Sequence, residues 1–245
     1  MRDVLTFNGR ALSEFNVFFD LSETFINPEK DYEIISIPGR NGDLSIYNNK
    51  FKDITISIPC FFRSNFLENY RNLMQFLNGV TGFQRLESSK EPNLYRKALF
   101  VGSVTPTTGS FLKSGKFTLT FKCHPQRWLK DSEDYIVVDN SYEFYNPTNM
   151  PSKPMIRITG NGRINITDAN HQFTGRVQVE NNEDRTVYID CETYDSYSIE
   201  NGETVNRNAD VTFLVDPVIV PGNVYITWYR INDGSFAIMP RFFFI

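Results

Sequence analysis

Alanine, histidine and cysteine are scarce in this 245-residue chain: five, two and three residues respectively. Alanine is the strongest helix former, so its near absence beside 24 Asn argues against a helical bundle. No Cys-x-x-Cys pair occurs, and the three thiols are widely spaced, which disfavours a disulfide framework or a zinc site. Long apolar runs are missing too. The longest, such as Ala98–Val101 and Phe242–Ile245, hold four residues each, against the roughly 20 that a membrane helix needs. The first residues contain no 7–15-residue apolar stretch of the kind that marks a signal peptide. There is no basic excess either: net charge is −4, so a broad face for nucleic-acid backbones is not expected. The expected setting is a reducing cytoplasm, where the protein is made and kept or assembled.

What the chain does contain points to β structure. Aromatic residues make up 15% of it, with 22 Phe and 12 Tyr. These side chains suit pleated, half-buried surfaces. Strict alternation runs through Asp53–Ile58, Lys116–Lys122, Arg163–Thr167, Arg176–Val179, Val187–Cys191, Val211–Val215 and Val224–Tyr229. One apolar face per strand predicts antiparallel sheets packed as sandwiches. Asn-Gly at 8–9, 41–42, 78–79, 161–162 and 201–202, with Asp233-Gly234, predicts hairpin turns and explains part of the asparagine excess. One helix is expected at about 65–78. Its apolar stripe of Phe66, Tyr70, Leu73 and Leu77 is widened by Leu67 and Met74, with Asn65 and Glu68 as a capping box and Gly79 as the stop. A boundary is expected between about 135 and 153, where Asp139–Pro154, with three prolines within eight residues and no sustained periodicity, reads as a linker. The expected domains are therefore 1–140, β with one covering helix, and 150–245, purely β.

Chemistry is sparse. Cys60, Cys123 and Cys191 each continue an apolar strand face and read as small buried hydrophobes. His124 and His171 lie in no known catalytic motif. Gly39-Arg40-Asn41-Gly42-Asp43 lacks the Gly-Lys-Ser/Thr ending of a phosphate loop. Asp131, Glu133, Asp134, Asp190 and Glu192 could in principle pair for glycoside hydrolysis, but Asp190 and Glu192 alternate with an apolar face and read as solvated sheet surface. No catalytic residue, cofactor site or metal site is predicted. Tyr225 and Tyr229 sit on a polar strand face, roughly 13 Å apart at ~3.4 Å per residue. They could form a sugar-stacking platform or a subunit contact, or simply belong to a face packed on another sheet. The first option makes the chain a carbohydrate-binding module for cell-surface saccharides, the alternative to the reading that follows.

Taken in order, several segments resemble the distal tail proteins of long, non-contractile-tailed bacteriophages. They are Leu5–Ser13 with its Phe-Asn-Gly, Ile37-Pro38-Gly39-Arg40-Asn41-Gly42-Asp43-Leu44, the helix ending Leu73–Leu77, and Phe121–Trp128 with Cys-His-Pro-Gln-Arg-Trp. Weaker matches follow at Pro154–Gly162, Val187–Cys191 and Pro217–Asn223. The resemblance implies a galectin-like or jelly-roll-like second domain and a homo-hexameric ring, or two stacked rings. The first domains would form a belt around a channel that passes DNA. It implies the tail tube protein, a tail tip or tail-associated lysin protein and a receptor-binding protein as partners, and a place at the distal end of the virion tail. It also places the loop Pro38, Gly39, Arg40, Asn41, Gly42 and Asp43 at a subunit contact or ring rim, where the plain alternative is a hairpin turn. Carbohydrate-binding insertions found in some members have no room in 245 residues.

Overall fold

The computed structural model describes residues 3–21, 26–102, 104–109, 113–180 and 185–245. It is mainly β, with antiparallel sheets and one α-helix, in two compact units: Met1–Arg127 with Ile245, and Trp128–Phe244.

The first unit is built on a sheet ordered Arg10–Ala11, Leu5–Phe7, Gln84–Ser88, Leu94–Phe100, Gly115–Cys123, Ile54–Phe62, Phe18–Phe19. Its backbone is the pair Ile54–Phe62 and Gly115–Cys123, in register over nine residues. Alternation does the sorting. Ile54, Ile56, Ile58, Cys60 and Phe62 point inward, as do Phe117, Leu119, Phe121 and Cys123. The helix Phe66–Gly79 covers this face with Phe66, Leu73 and Leu77. Each such side chain, fully buried, contributes about 1.5–3 kcal/mol. Phe66 lies so close to Gly115 that a Cβ there would fall 2.5 Å from the ring.

The helix ends differ from the sequence expectation. Asn65 takes a left-handed conformation (φ 48°) and its side chain makes no cap. The buried Asn69 ties the helix start to the residues before it, without capping it: its backbone N–H donates to the Asn65 carbonyl (3.1 Å) and its side-chain amide to the Ser64 carbonyl (3.0 Å). Gly79 is the last helical residue, followed by an extended Val80. Leu67 is 42% exposed and adds nothing to the core. Phe76 does, stacking on Phe15 at 5.3 Å.

The second unit is a sandwich. A six-stranded sheet runs Ile136–Val137, Ser235–Met239, Met155–Thr159, Thr186–Asp190, Asp195–Glu200, Glu203–Asn206. A five-stranded sheet runs Ser141–Asn146, Gly222–Arg230, Gly162–Asp168, Phe173–Val179, Val211–Val215. Ile156, Ile158, Val187, Ile189 and Phe236 of the first face Ile164, Ile166, Val177, Ile226 and Trp228 of the second in one core. Residues 141–146 are therefore not linker. They pair along their whole length with Gly222–Thr227, and the two units divide at Arg127, before the proline-rich stretch. Phe144 alone of that strand packs on the core, which is why alternation is faint there.

Of the Asn-Gly pairs, 8–9 and 201–202 have both residues at positive φ, as tight two-residue turns require. At 41–42 only the glycine does, because that pair lies inside a longer loop.

Candidate functional site

The predicted loop Pro38–Asp43 crowns a hairpin that belongs to no larger sheet. Among the described residues Lys30–Ile35 pairs only with Leu44–Phe51, with Tyr32 opposite Tyr47 and Ile35 opposite Leu44. Opposite and alternate residues share a face. One face thus carries Tyr32, Ile34 and Tyr47; the other carries Ile35, Leu44 and Ile46. Both are in solvent: Ile34 is 60% exposed, Tyr32 44% and Ile46 43%. The loop residues are exposed throughout, with Gly39 and Gly42 at positive φ and the Arg40 N–H donating to the Ile37 carbonyl (3.2 Å). Near the hairpin base, the Asn48 amide bonds Asp31 at 3.1 Å and Lys50 lies 3.3 Å from it. Together these hold the Asp31 carboxyl below its usual range. A two-stranded ribbon alone is marginal in water, so an arm with apolar side chains on both faces is built to be covered.

Tyr225 and Tyr229 lie, as their alternation requires, on the outer face of the five-stranded sheet, opposite buried Val224, Ile226 and Trp228. They do not form a matched pair. Tyr225 packs beside His171 at 5.5 Å, and its hydroxyl bonds Glu143, which raises its pKa. Tyr229 is half exposed, with the Arg163 guanidinium 5.4 Å over its ring.

Of the carboxylates considered for acid–base work, Asp190 and Glu192 both lie against Arg241. Burial acts to raise the pKa of Asp190, but the Arg241 guanidinium and the N–H groups of Glu192 and Thr193 outweigh it and leave the carboxyl below its usual range. The Arg241 contacts are bidentate, at 2.7 and 3.1 Å. A general acid needs the opposite shift. Asp190 is a clamp and not the freely solvated surface residue its alternation suggested. All three thiols are buried, and burial pushes each up to about 12. Among the described residues no three His, Cys, Asp or Glu side chains gather to hold a metal ion. The cavity between Leu5, Ile56, Leu86, Tyr95 and Arg96 encloses about 30 Å³, room for roughly one water. No helix among the described residues is long and apolar enough to cross a membrane.

Residues 12–123, within the first unit, match the model of the phage tail protein RIFT-related domain. The whole chain shares the fold of a distal tail hub protein. It superposes on the Dit protein of phage SPP1, described as a paradigm of the hub adsorption apparatus in phages infecting Gram-positive bacteria. That match has a TM-score of 0.67 and 15% identity, over 97% of this chain and 98% of the other. It also matches chains of the phage p2 baseplate in its activated conformation, with Ca (TM-score 0.54, 12% identity, 97% and 98% covered) and with Sr (0.52, 12%, 97% and 97%). No curated protein sequence matches the chain.

The arms of the hairpin escaped the sequence reading, which stopped at its loop. The signal was present: Ile34, Ile35 and Ile37 put apolar residues on both faces, a pattern no solvent-exposed ribbon tolerates.

Proposed function

We propose that this chain is the structural hub of a phage tail tip, closing as a homo-hexamer into a ring that joins the tail tube to the tip proteins and leaves a channel for DNA. The observation that carries this reading is the doubly apolar hairpin Lys30–Phe51, projecting from the unit that matches the phage tail domain. A ring is a heterologous assembly, in which an arm on one subunit meets a different patch on the next. The hairpin supplies such an arm, and the loop Pro38–Asp43 lies at or beside that contact. A stable contact of this kind buries at least about 1,000 Å². Partners by the same reading are the tail tube protein, a tail tip or tail-associated lysin protein, and a receptor-binding protein. The site of action is the distal end of the virion tail.

Mass and shape test it together. Light scattering of the purified protein at tens of micromolar should give six times 28.4 kDa, or twelve times for stacked rings, and negative-stain images should show a central hole. A monodisperse monomer, alone and with its tail tube protein present, would overturn the reading.

A further inference from the structure

Five Asn-Gly pairs occur in the chain, and the fold treats one of them differently. Asn8-Gly9 and Asn201-Gly202 hold both residues at positive φ inside two-residue turns, closed by Phe7 opposite Arg10 and Glu200 opposite Glu203. Asn78-Gly79 ends the helix Phe66–Gly79, so its peptide nitrogen belongs to the helical ladder. Asn161-Gly162 opens a strand, where buried Gly162 pairs with Val179 and Arg230. The Asn161 N–H donates to Asn232 Oδ1 (2.6 Å), and its carbonyl accepts from the Ile231 N–H (3.0 Å). Asn41-Gly42 has none of this. Both residues are exposed and outside any strand, and among the described residues no hydrogen bond engages the Asn41 amide or the Gly42 N–H.

An asparagine followed by glycine carries its own electrophile and nucleophile. The Gly42 nitrogen, giving up its proton, bonds to Asn41 Cγ; the Cγ–Nδ2 bond breaks and the amide leaves with that proton as ammonia. The product is a five-membered succinimide. Water then opens either of its two C–N bonds. Cleavage at Cγ gives aspartate, and cleavage at the main-chain carbonyl gives isoaspartate, whose chain runs through Cβ and Cγ. Water enters, ammonia leaves, and nothing is oxidised or reduced. Two conditions gate the first step. The nitrogen must be free, and the Asn backbone must swing to the ψ of the ring, which is neither that of a helix nor that of a left-handed turn. In the other four pairs that swing requires local unfolding. At the tip of the Lys30–Phe51 hairpin it costs little, and nothing lies within 4 Å of where a Cβ on Gly42 would stand.

We propose that Asn41 is a self-modification site, converting to aspartate and isoaspartate in the free subunit, and that ring closure covers the loop and arrests the conversion. The second half rests on the hub reading; the first does not. Either product adds a carboxylate two positions from Asp43, and isoaspartate also lengthens the loop backbone by one carbon. Both alter the loop that the hub reading sets at or beside a subunit contact, so subunits modified before assembly are marked against joining a ring.

The test follows all five pairs in one sample. Full-length wild type and an Ile34→Ser, Ile46→Ser double variant are incubated in mildly alkaline buffer, with light scattering giving the mass of each. Peptides from timed digests are read by mass spectrometry, and electron-transfer fragmentation separates isoaspartate from aspartate. A third sample, wild type in concentrated urea, removes the fold. In folded monomer the Asn41 peptide should convert roughly tenfold or more faster than the other four, while in urea the five rates should draw together. In a hexamer the Asn41 rate should fall toward the others. Asn41 converting no faster than the other four in every folded sample would overturn the site. The same ranking in urea would overturn it too, since flanking sequence would then be the cause. A fast Asn41 inside a hexamer would uphold the site and overturn its protection by ring closure. A monomeric wild type with a fast Asn41 would uphold the site and count against the hub reading alone.

Discussion

Arg241 shows what single residues contribute here. It adopts a left-handed backbone (φ 55°), uncommon for a long side chain, and its Nε donates to the Lys153 carbonyl while its other nitrogens hold Asp190. The strain is offset by charge-assisted bonds that tie the strand after Pro240 to the sheet. Because the folded-state pKa of Asp190 is depressed, its contribution is present above the unfolded carboxylate pKa and is lost as pH falls through the lower, folded value. Asp190→Asn should cost about 2–3 kcal/mol at pH 7, the range for hydrogen bonds to charged groups. Melting curves against pH check this: the gap between wild type and variant should narrow below pH 4 and close in stronger acid. A gap constant with pH would mean that the carboxylate charge is not what matters.

At the scale of elements, two kinds of information separate. The strands Ile54–Phe62, Gly115–Cys123 and Gly222–Arg230 were legible in the chain because one face is apolar and the other polar, and burial follows that alternation residue by residue. The strand Ser141–Asn146 was not, since its inward positions give it one core residue, Phe144, and its pairing partner lies far along the chain. The Asn65–Glu68 capping box misled because Asn65 adopts a left-handed backbone, from which its side chain makes no cap. Which Asn-Gly pair lies open was harder still: all five read alike as turns, and only the fold sets the loop at 41–42 apart from two tight turns, a helix end and a strand start. The hairpin yields the element-scale prediction. Ile34→Ser with Ile46→Ser replaces one exposed apolar residue on each face, so the melting temperature of the isolated subunit should hold while the assembled mass collapses toward 28.4 kDa. Light scattering and circular dichroism on the same sample measure both. An intact oligomer from this variant would remove the hairpin from the contact.

For the whole molecule, the division of labour follows from where exposed chemistry lies. The first unit combines a sheet, a covering helix and a hairpin that pairs with no other strand among the described residues. The second is a self-contained sandwich with exposed aromatic residues, Tyr145, Phe173 and Tyr229 among them. The small cavity of the first unit is lined by Glu87, Glu91, Arg96 and Arg127 and holds about 30 Å³, and in the second unit Asp190 is held by Arg241. A protein organised around outward surfaces is suited to holding other molecules in place.

The position of Ser235–Met239 has a consequence for synthesis. This strand sits inside the six-stranded sheet, beside Met155–Thr159 and Ile136–Val137, and Met155 waits for Met239 to complete its pairing. While the ribosome is still working through the preceding residues, Ile156 and Ile158 border an open edge that invites pairing with another chain. The second unit therefore cannot close cotranslationally before residue 239 leaves the exit tunnel, whereas all the strands from Leu5–Phe7 to Gly115–Cys123 of the first unit's sheet are available to pair once Cys123 has emerged. Arrested nascent chains with residues up to 230 exposed should show a protease-resistant first unit and a cleavable second one. Polysomes bearing many such chains are where misassembly of this protein would begin.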